Sequence, residues 1–123
     1  MIAGAVNAAR EARIPLVLRT PLGATREIDA LIDTGFDGFL TLPPSMIVAL
    51  GLKRLGRGRA ILADGRDQLF DIHAVTVFWD GQPLTVEADT AESDPLIGMG
   101  LLQGYRLSID VIDGGSVEIQ RLS

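Results

Sequence analysis

The stretch that decides the fold spans residues 26–35 and has the sequence REIDALIDTG. Its apolar side chains alternate with other residues, so that Ile28, Ala30 and Ile32 share one face, and this alternation predicts a half-buried strand. The strand ends at Asp33-Thr34-Gly35, where the glycine lets backbone and solvent come close to the aspartate. A carboxylate on such a rigid and partly dry turn can have a perturbed pKa, which acid/base chemistry requires. An ordinary turn after a strand is the plainer interpretation of the same three residues.

Short apolar segments separated by turn residues continue along the chain and predict an all-β fold. Three Asp-Gly pairs lie between apolar runs, and each predicts a hairpin because such turns need positive φ angles. Two segments, 46–50 before Gly51 and 99–104, are predicted to be short helices. The predicted strands and hairpins are 14–20, 26–32, 39–42, 59–62 with 69–70 around Asp64-Gly65, 74–79 with 84–88 around Asp80-Gly81, and 107–112 with 116–119 around Asp113-Gly114.

The composition is that of one globular domain, with 123 residues of which 47% are hydrophobic and 22% are charged. The chain has no cysteine and a single histidine, His73, which excludes disulfides, a cysteine nucleophile and a zinc site built from several histidines of one chain. The net charge of -5 argues against nucleic-acid binding. We expect neither metal nor cofactor, since the acidic residues lack calcium-loop spacing and Gly98-Met99-Gly100 lacks the rest of a dinucleotide-binding pattern.

The lengths of the apolar segments bear on where the protein is located. No apolar run approaches the ~20 residues that a membrane-spanning helix needs. Residues 1–7 have no basic stretch and too short an apolar run for a signal peptide. We therefore expect a soluble, cytoplasmic protein with no membrane contact. The alanine-rich residues 1–13 are expected to form a flexible N-terminal arm, and residues 14–123 to form the single folded domain.

A second motif, Leu96-Ile97-Gly98, again places two apolar residues before a turn residue, and Gly98 stands 63 residues after Gly35. With Leu31-Ile32-Asp33-Thr34-Gly35 and the hairpin between the two motifs, the sequence resembles the retropepsin-like aspartic proteases, which include the retroviral proteases and their cellular relatives. The resemblance covers roughly residues 14–112. It implies a closed, mostly antiparallel β-barrel of the acid-protease type with one or two short helices, forming half of a pseudo-pepsin homodimer with two-fold (C2) symmetry.

The resemblance also implies roles for particular residues. Asp33 corresponds to the catalytic acid/base, and Thr34 and Gly35 to the residues that hold and shape its loop. Residues 62–67 correspond to the flap that closes over the substrate. The residues implied to contact a bound peptide are Asp37, Ile97 and the flap tip Ala63, Asp64 and Gly65.

Aspartic proteolysis needs two carboxylates around one water, and this chain has one Asp-Thr-Gly. The nearest second candidate, Asp89-Thr90-Ala91, lacks the glycine. The second aspartate must then come from a second copy of the chain, so that the two Asp33 side chains meet across a two-fold axis. The sequence therefore predicts a homodimeric aspartic endopeptidase that acts on peptide or protein substrates.

Two alternatives stay open at this point. One is a catalytically inactive retropepsin-fold module for dimerisation or peptide binding, because Phe36 follows Gly35 where the family usually has Ala, Ser or Thr. Met99 likewise stands where retroviral members have an arginine that pairs with the counterpart of Asp37. The other alternative is a monomeric β-barrel, unrelated to peptidases, that binds a small ligand in its interior.

Overall fold

The computed structural model describes all 123 residues. They form ten strands and two short helices, so the all-β prediction is confirmed. In chain order the elements are β1 (Ile2–Val6), β2 (Ala12–Arg19), β3 (Thr25–Ile32), β4 (Leu40–Leu42), α1 (Pro44–Leu50), β5 (Lys53–Ile61), β6 (Asp67–Trp79), β7 (Gln82–Thr90), β8 (Leu96–Ile97), α2 (Met99–Leu102), β9 (Tyr105–Ile109) and β10 (Ser116–Arg121).

All ten strands belong to one sheet, in the order β5-β6-β7-β4-β8-β3-β2-β1-β10-β9. An additional antiparallel pairing of β2 with β6 closes strands β2, β6, β7, β4, β8 and β3 into a ring. Within the ring, β3 pairs with β8 and β4 pairs with β7 in parallel, while the other pairs are antiparallel. Strand β5 forms a hairpin with β6, and β1, β10 and β9 extend the sheet beyond β2. The parallel β3–β8 pair is the part of the sheet that positions the candidate site.

Alternating side chains fill the interior of the ring. On β2, Ile14 and Leu18 are fully buried, and on β6 Val77 is fully buried. On β3, Ile28 and Ala30 are buried, as the alternation of the sequence predicts. The same inward face continues to the end of β3, directly before the candidate site. A ring packed with aliphatic side chains argues against a ligand chamber in its interior.

Two of the three predicted Asp-Gly hairpins form as expected. Asp80 and Gly81 have φ angles of 52° and 81°, and they join β6 to β7 in a two-residue turn. Gly65, with a φ angle of 84°, lies in the tip between β5 and β6. The Leu62 N–H donates to the Arg66 carbonyl at 2.8 Å and closes this tip.

The third hairpin differs from its prediction. Strand β9 ends at Ile109 instead of residue 112, and residues 110–115 form a longer loop. The Val6 N–H donates to the Gly115 carbonyl and the Gly114 N–H donates to the Val6 carbonyl, both at 2.8 Å. The backbone groups of Gly114 and Gly115 thus bond to the end of β1, whereas a two-residue turn would have directed them towards β9.

Residues 1–13 also differ from the expected flexible arm, because they contain β1 and the start of β2. Strand β1 pairs with β2 and with β10, where Ile2 lies opposite Ile119. Gly4 permits a close approach to β2, since a Cβ at this position would lie 2.0 Å from the Arg13 carbonyl oxygen. One of the two strands that order these residues is thus at the other end of the sequence.

Both predicted helices are present, with shifted ends. Helix α1 has Pro44 in its first turn, where the missing N–H costs nothing, and it stops at Gly51 with a φ angle of 62°. Helix α2 has four residues and ends at Leu102, two residues before the predicted end. Neither helix has the length and apolar character that crossing a bilayer requires.

Candidate active site

Asp33 directly follows β3, and hydrogen bonds fix both its backbone and its side chain. Its N–H donates to the Ile97 carbonyl at 2.9 Å, and its carbonyl accepts the Phe36 N–H at 3.2 Å. Its Oδ1 accepts the Gly35 N–H at 3.0 Å. The residue is half-buried, and no hydrogen bond from the chain reaches Oδ2. The carboxylate is therefore oriented through one oxygen and free to bind through the other.

The two sequence motifs lie side by side in the fold. Leu31 pairs with Leu96 and Ile32 pairs with Ile97 in the parallel β3–β8 ladder. The Leu31 N–H also donates to the Pro95 carbonyl at 2.9 Å. Because parallel strands end on the same side of the sheet, the turns that follow β3 and β8 are neighbours. This pairing is why two motifs that are far apart in sequence act on one site.

Gly98 and Gly100, which we call the glycine platform, support the Asp33 loop by close backbone contact. The Met99 N–H donates to the Phe36 carbonyl at 2.7 Å, and the Gly100 N–H donates to the Gly38 carbonyl at 2.9 Å. A Cβ on Gly98 would lie 2.2 Å from the Gly38 carbonyl oxygen, and a Cβ on Gly100 would lie 2.9 Å from it. Only residues without a side chain permit this approach. The platform thus has a packing role that the sequence alone did not assign to these glycines.

Phe36 is accommodated by two glycines. A Cβ on Gly38 would lie 2.5 Å from the ring atom Cζ, and a Cβ on Gly98 would lie 2.5 Å from Cδ2. The half-buried ring therefore occupies space that side chains at these two positions would otherwise fill. Phe36, which is larger than the residue usual at this position in the family, thus packs against two glycines.

Thr34 and Asp37 lie on the exposed side of the Asp33 loop. Thr34 lines a surface groove together with Ile109 and Val111. Asp37 makes no ion pair within the chain, and no hydrogen bond reaches its carboxylate. Both side chains are therefore available to groups outside the chain.

The predicted flap tip lies at the end of the β5–β6 hairpin. Ala63, Asp64 and Gly65 are all exposed there. The Asp64 carboxylate holds the turn, because its Oδ1 accepts the Arg66 N–H at 3.0 Å and its Oδ2 pairs with the Arg66 guanidinium. No hydrogen bond or ion pair joins the tip to the Asp33 loop, so the hairpin is built independently of the aspartate.

Ile97, which the resemblance implies as a peptide-contacting residue, does not present its side chain to the surface. The side chain is fully buried, since neighbours on a strand alternate between faces and Ile97 faces the core. Leu96 faces the other way and is half-buried. The link between Ile97 and Asp33 is its backbone carbonyl. The alternation of side chains along β8 was the signal that would have placed Leu96, and not Ile97, on the outward face.

Sequence reasoning missed Arg13, which connects three acidic residues close to the site. Its guanidinium lies 3.1 Å from Glu11, 2.9 Å from Asp29 and 2.8 Å from Asp94. The hydrogen bond to Asp94 is the main cause that raises the pKa of Arg13. Asp94 immediately precedes Pro95, whose carbonyl binds β3. Arg13 therefore fixes the segment that leads into β8.

Asp89 lies on β7, opposite Thr41 in the parallel β4–β7 pair. Burial raises the pKa of its carboxyl group, and the nearby charges of Glu87 and Asp37 raise it further. None of these three carboxylates pairs with a cation of the chain. This side of the Asp33 loop is therefore negatively charged.

The fold is similar to that of two solved proteases. The EIAV protease complexed with the inhibitor HBY-793 aligns with a TM-score of 0.62 and 19% identity, over 79% of this chain and 89% of that chain. A retropepsin-like aspartic protease from Rickettsia conorii aligns with a TM-score of 0.61 and 17% identity, over 97% of this chain and 88% of that chain. No protein-family model and no curated protein sequence matches the chain. The chain therefore has the fold of the retropepsin-like aspartic proteases.

Proposed function

We propose that this chain is one subunit of a homodimeric aspartic endopeptidase, in which two Asp33 carboxylates, one from each copy, activate a water. The observation that carries the proposal is the environment of the Asp33 carboxylate. Its carboxylate is half-buried, oriented by the Gly35 N–H, and unpaired with any cation of the chain. The similarity of the fold to two aspartic proteases supports the same reaction class.

The reaction needs the two carboxylates to differ in protonation. Like charges about 3 Å apart do not both ionise readily, so the pair shares one proton. The ionised carboxylate takes a proton from water, and the water oxygen attacks the carbonyl carbon of the peptide bond. The protonated carboxyl group donates a hydrogen bond to the carbonyl oxygen and stabilises the tetrahedral intermediate. The C–N bond then breaks as the leaving nitrogen takes a proton from the pair, and no acyl-enzyme forms.

The remaining residues of the site position the substrate in this proposal. Thr34 and Gly35 shape the loop that carries the aspartate. Asp37 is exposed and unpaired, and it is available to accept a hydrogen bond from a substrate N–H. Ala63, Asp64 and Gly65 close over an extended peptide, which binds by strand-like hydrogen bonds, and the closed hairpin excludes water.

The alternative is a retropepsin-fold module that dimerises or binds peptides without cleaving them. Phe36 is the observation that favours it, because the ring lies in the loop of the candidate catalytic residue. A single measurement, peptide turnover by a confirmed dimer, distinguishes the two functions. A confirmed dimer that binds peptides but turns none over, at any pH from acidic to neutral, favours the module.

The proposal is tested with Asp33→Asn in a peptide-cleavage assay. We expect kcat/KM to fall at least about 100-fold, because general acid–base catalysis contributes that much or more. Glu27→Gln is the matched control, since Glu27 is an exposed, unpaired acid on the same strand. The wild type is expected to show a bell-shaped pH profile from the shared proton. Retention of activity by a folded Asp33→Asn variant would refute the mechanism.

A further inference from the structure

We infer that a groove beside the Asp33 loop binds an arginine or lysine side chain of the peptide substrate, with its aliphatic stem on apolar residues and its cation at Glu87. We call it the Phe39 groove, and its lining residues are Phe39, Leu55, Ala74, Leu84, Thr85, Val86 and Glu87. The inference rests on the proposed function, because the occupant is a residue of the substrate. It goes further by naming a substrate class, which is peptides that carry a basic residue.

The Phe39 groove lies between the Asp33 loop and the predicted flap hairpin. Phe39 ends the loop, and its carbonyl accepts the Gly98 N–H from the glycine platform at 3.1 Å. Leu55 belongs to β5, at the point where the pairing of β5 with β6 is irregular. An extended peptide held between the loop and the hairpin therefore has this groove within reach of its side chains.

Three large apolar side chains of the groove are open to solvent. Phe39 is 41% exposed, Leu55 is 51% exposed and Leu84 is 43% exposed. The groove has a volume of about 490 Å³. Arginine and lysine bury their aliphatic stems along apolar surface while their charged ends stay among polar groups, and an aromatic ring attracts a cation. A groove of this composition therefore fits the stem of a long basic side chain.

The acidic residues at the groove have no cation of their own. Glu87 belongs to the lining, and Asp89 follows it by two residues on β7, so both side chains point to the same side of the sheet. The charges of Glu87 and Asp37 both act on Asp89 and help to raise its pKa, so the three carboxylates lie near one another. None of them takes part in an ion pair of the chain. A bound cation would neutralise part of this negative charge.

The basic residues of the neighbouring strand β5 leave this charge largely in place. Arg54 and Arg57 both pair with Asp71. Lys53 lines a different groove and pairs with no acid. Three carboxylates thus face one unpaired lysine, and charge complementarity selects a basic occupant over an acidic or a purely apolar one.

Binding of a matched pair of peptides to the Asp33→Asn variant tests the inference by isothermal titration calorimetry. The variant is used so that cleavage does not consume the probes. The probes are acetyl-ALARALA-amide and the same heptapeptide with citrulline, a neutral isostere, in place of arginine. We expect the arginine peptide to bind about 5-fold more tightly at low salt, which is the upper range for an exposed ion pair. In 1 M NaCl the ratio of the two affinities is expected to fall below about 2, because salt screens the charges.

Two further variants in the same background separate the charge from the apolar contact. The double variant Glu87→Gln/Asp89→Asn is expected to lower the affinity ratio below about 2, whereas Glu118→Gln, an exposed and unpaired acid on β10, is the control that keeps the ratio. Leu55→Ser is expected to weaken both peptides equally, because arginine and citrulline have the same stem. Leu22→Ser is its control, since Leu22 is 98% exposed and does not line the groove. Circular dichroism and thermal unfolding establish that the variants are folded.

The outcomes separate this inference from the proposed function. Equal or undetectable binding of the two peptides, or a preference that the double variant retains, overturns the inference. Peptide cleavage by the wild type together with equal affinities leaves the peptidase proposal standing and removes only the substrate class. A preference for arginine that depends on Glu87 and Asp89, in a dimer that cleaves no peptide, supports the groove and favours the module that binds without cleaving.

Discussion

Replacing Gly98 by alanine tests whether the glycine platform positions Asp33. The new Cβ would lie 2.2 Å from the Gly38 carbonyl oxygen and 2.8 Å from the Phe36 carbonyl oxygen. Real Cβ atoms essentially never come closer than 3.0 Å to such atoms, so the two backbone segments must separate by at least 0.8 Å. Both obstacles are backbone atoms of the loop that carries Asp33, and a side-chain rotation cannot relieve either contact.

The expected effect has two measurable parts. Forcing extra volume into a closely packed contact costs about 1–3 kcal/mol in the free energy of unfolding, measured by urea denaturation. A displacement of a catalytic group by about 1 Å lowers the rate about 100-fold, measured as kcat/KM in peptide cleavage. We therefore expect Gly98→Ala to lose both stability and nearly all activity while it keeps its β-rich circular dichroism spectrum.

Gly56→Ala is the control for the unfolding measurement. A Cβ at Gly56 meets no atom within 4 Å, and the backbone there has an ordinary φ angle. This substitution is expected to change stability by less than about 1 kcal/mol. If Gly98→Ala unfolds at the same urea concentration as the Gly56→Ala control, the close contact does not exist as described. If Gly98→Ala is destabilised but fully active, the contact exists and does not position Asp33.

Two further substitutions test the charges around the site. Arg13→Ala removes three ion pairs, so we expect the melting temperature to fall by about 2–5 °C at low salt. This loss is expected to be smaller in 1 M NaCl, because salt screens the ion pairs. An unchanged melting temperature at low salt would mean that the network adds no stability. Asp89→Asn tests the raised pKa of Asp89, whose ionised form is disfavoured in the folded protein chiefly by burial and then by Glu87 and Asp37. The cost of ionisation is present above the folded pKa and vanishes below the unfolded value of 3.8. Asp89→Asn is therefore expected to raise stability at pH 7 by less than about 1 kcal/mol, because water screens a half-exposed group, and to have no effect at pH 3. A pH-independent difference in urea denaturation would show that ionisation of Asp89 is not the cause.

Local sequence patterns were sufficient for the elements that form by local rules. The alternation over residues 26–32 identified β3, and the Asp80-Gly81 pair identified a two-residue turn because its positive φ angles are a property of those residues. Strand β1 was missed because most of the residues that pair with it belong to β10, at the other end of the chain. The loop at 110–115 was missed for a similar reason, since two of its backbone hydrogen bonds are made to Val6.

The site divides in a similar way. Asp33 and Gly35 were predicted as candidates because a strand that ends in a carboxylate and a glycine is visible in the sequence itself. The network of Arg13 was invisible, because its partners stand at positions 11, 29 and 94 and meet only after β2, β3 and the segment before β8 assemble. The role of Gly98 and Gly100 was hidden because a close backbone contact leaves no mark in sequence except the glycines.

The groups that fix Asp33 all belong to its own chain, and this separates folding from assembly. The Ile97 carbonyl, the Gly35 N–H and the glycine platform hold the aspartate without help from a partner. The ring encloses its own apolar core, so the chain has the means to fold alone. In the proposed homodimer, a second copy supplies what one chain lacks, which is a second carboxylate next to the first. We therefore expect dissociation of the proposed dimer to abolish peptide cleavage and to leave each half of the site intact.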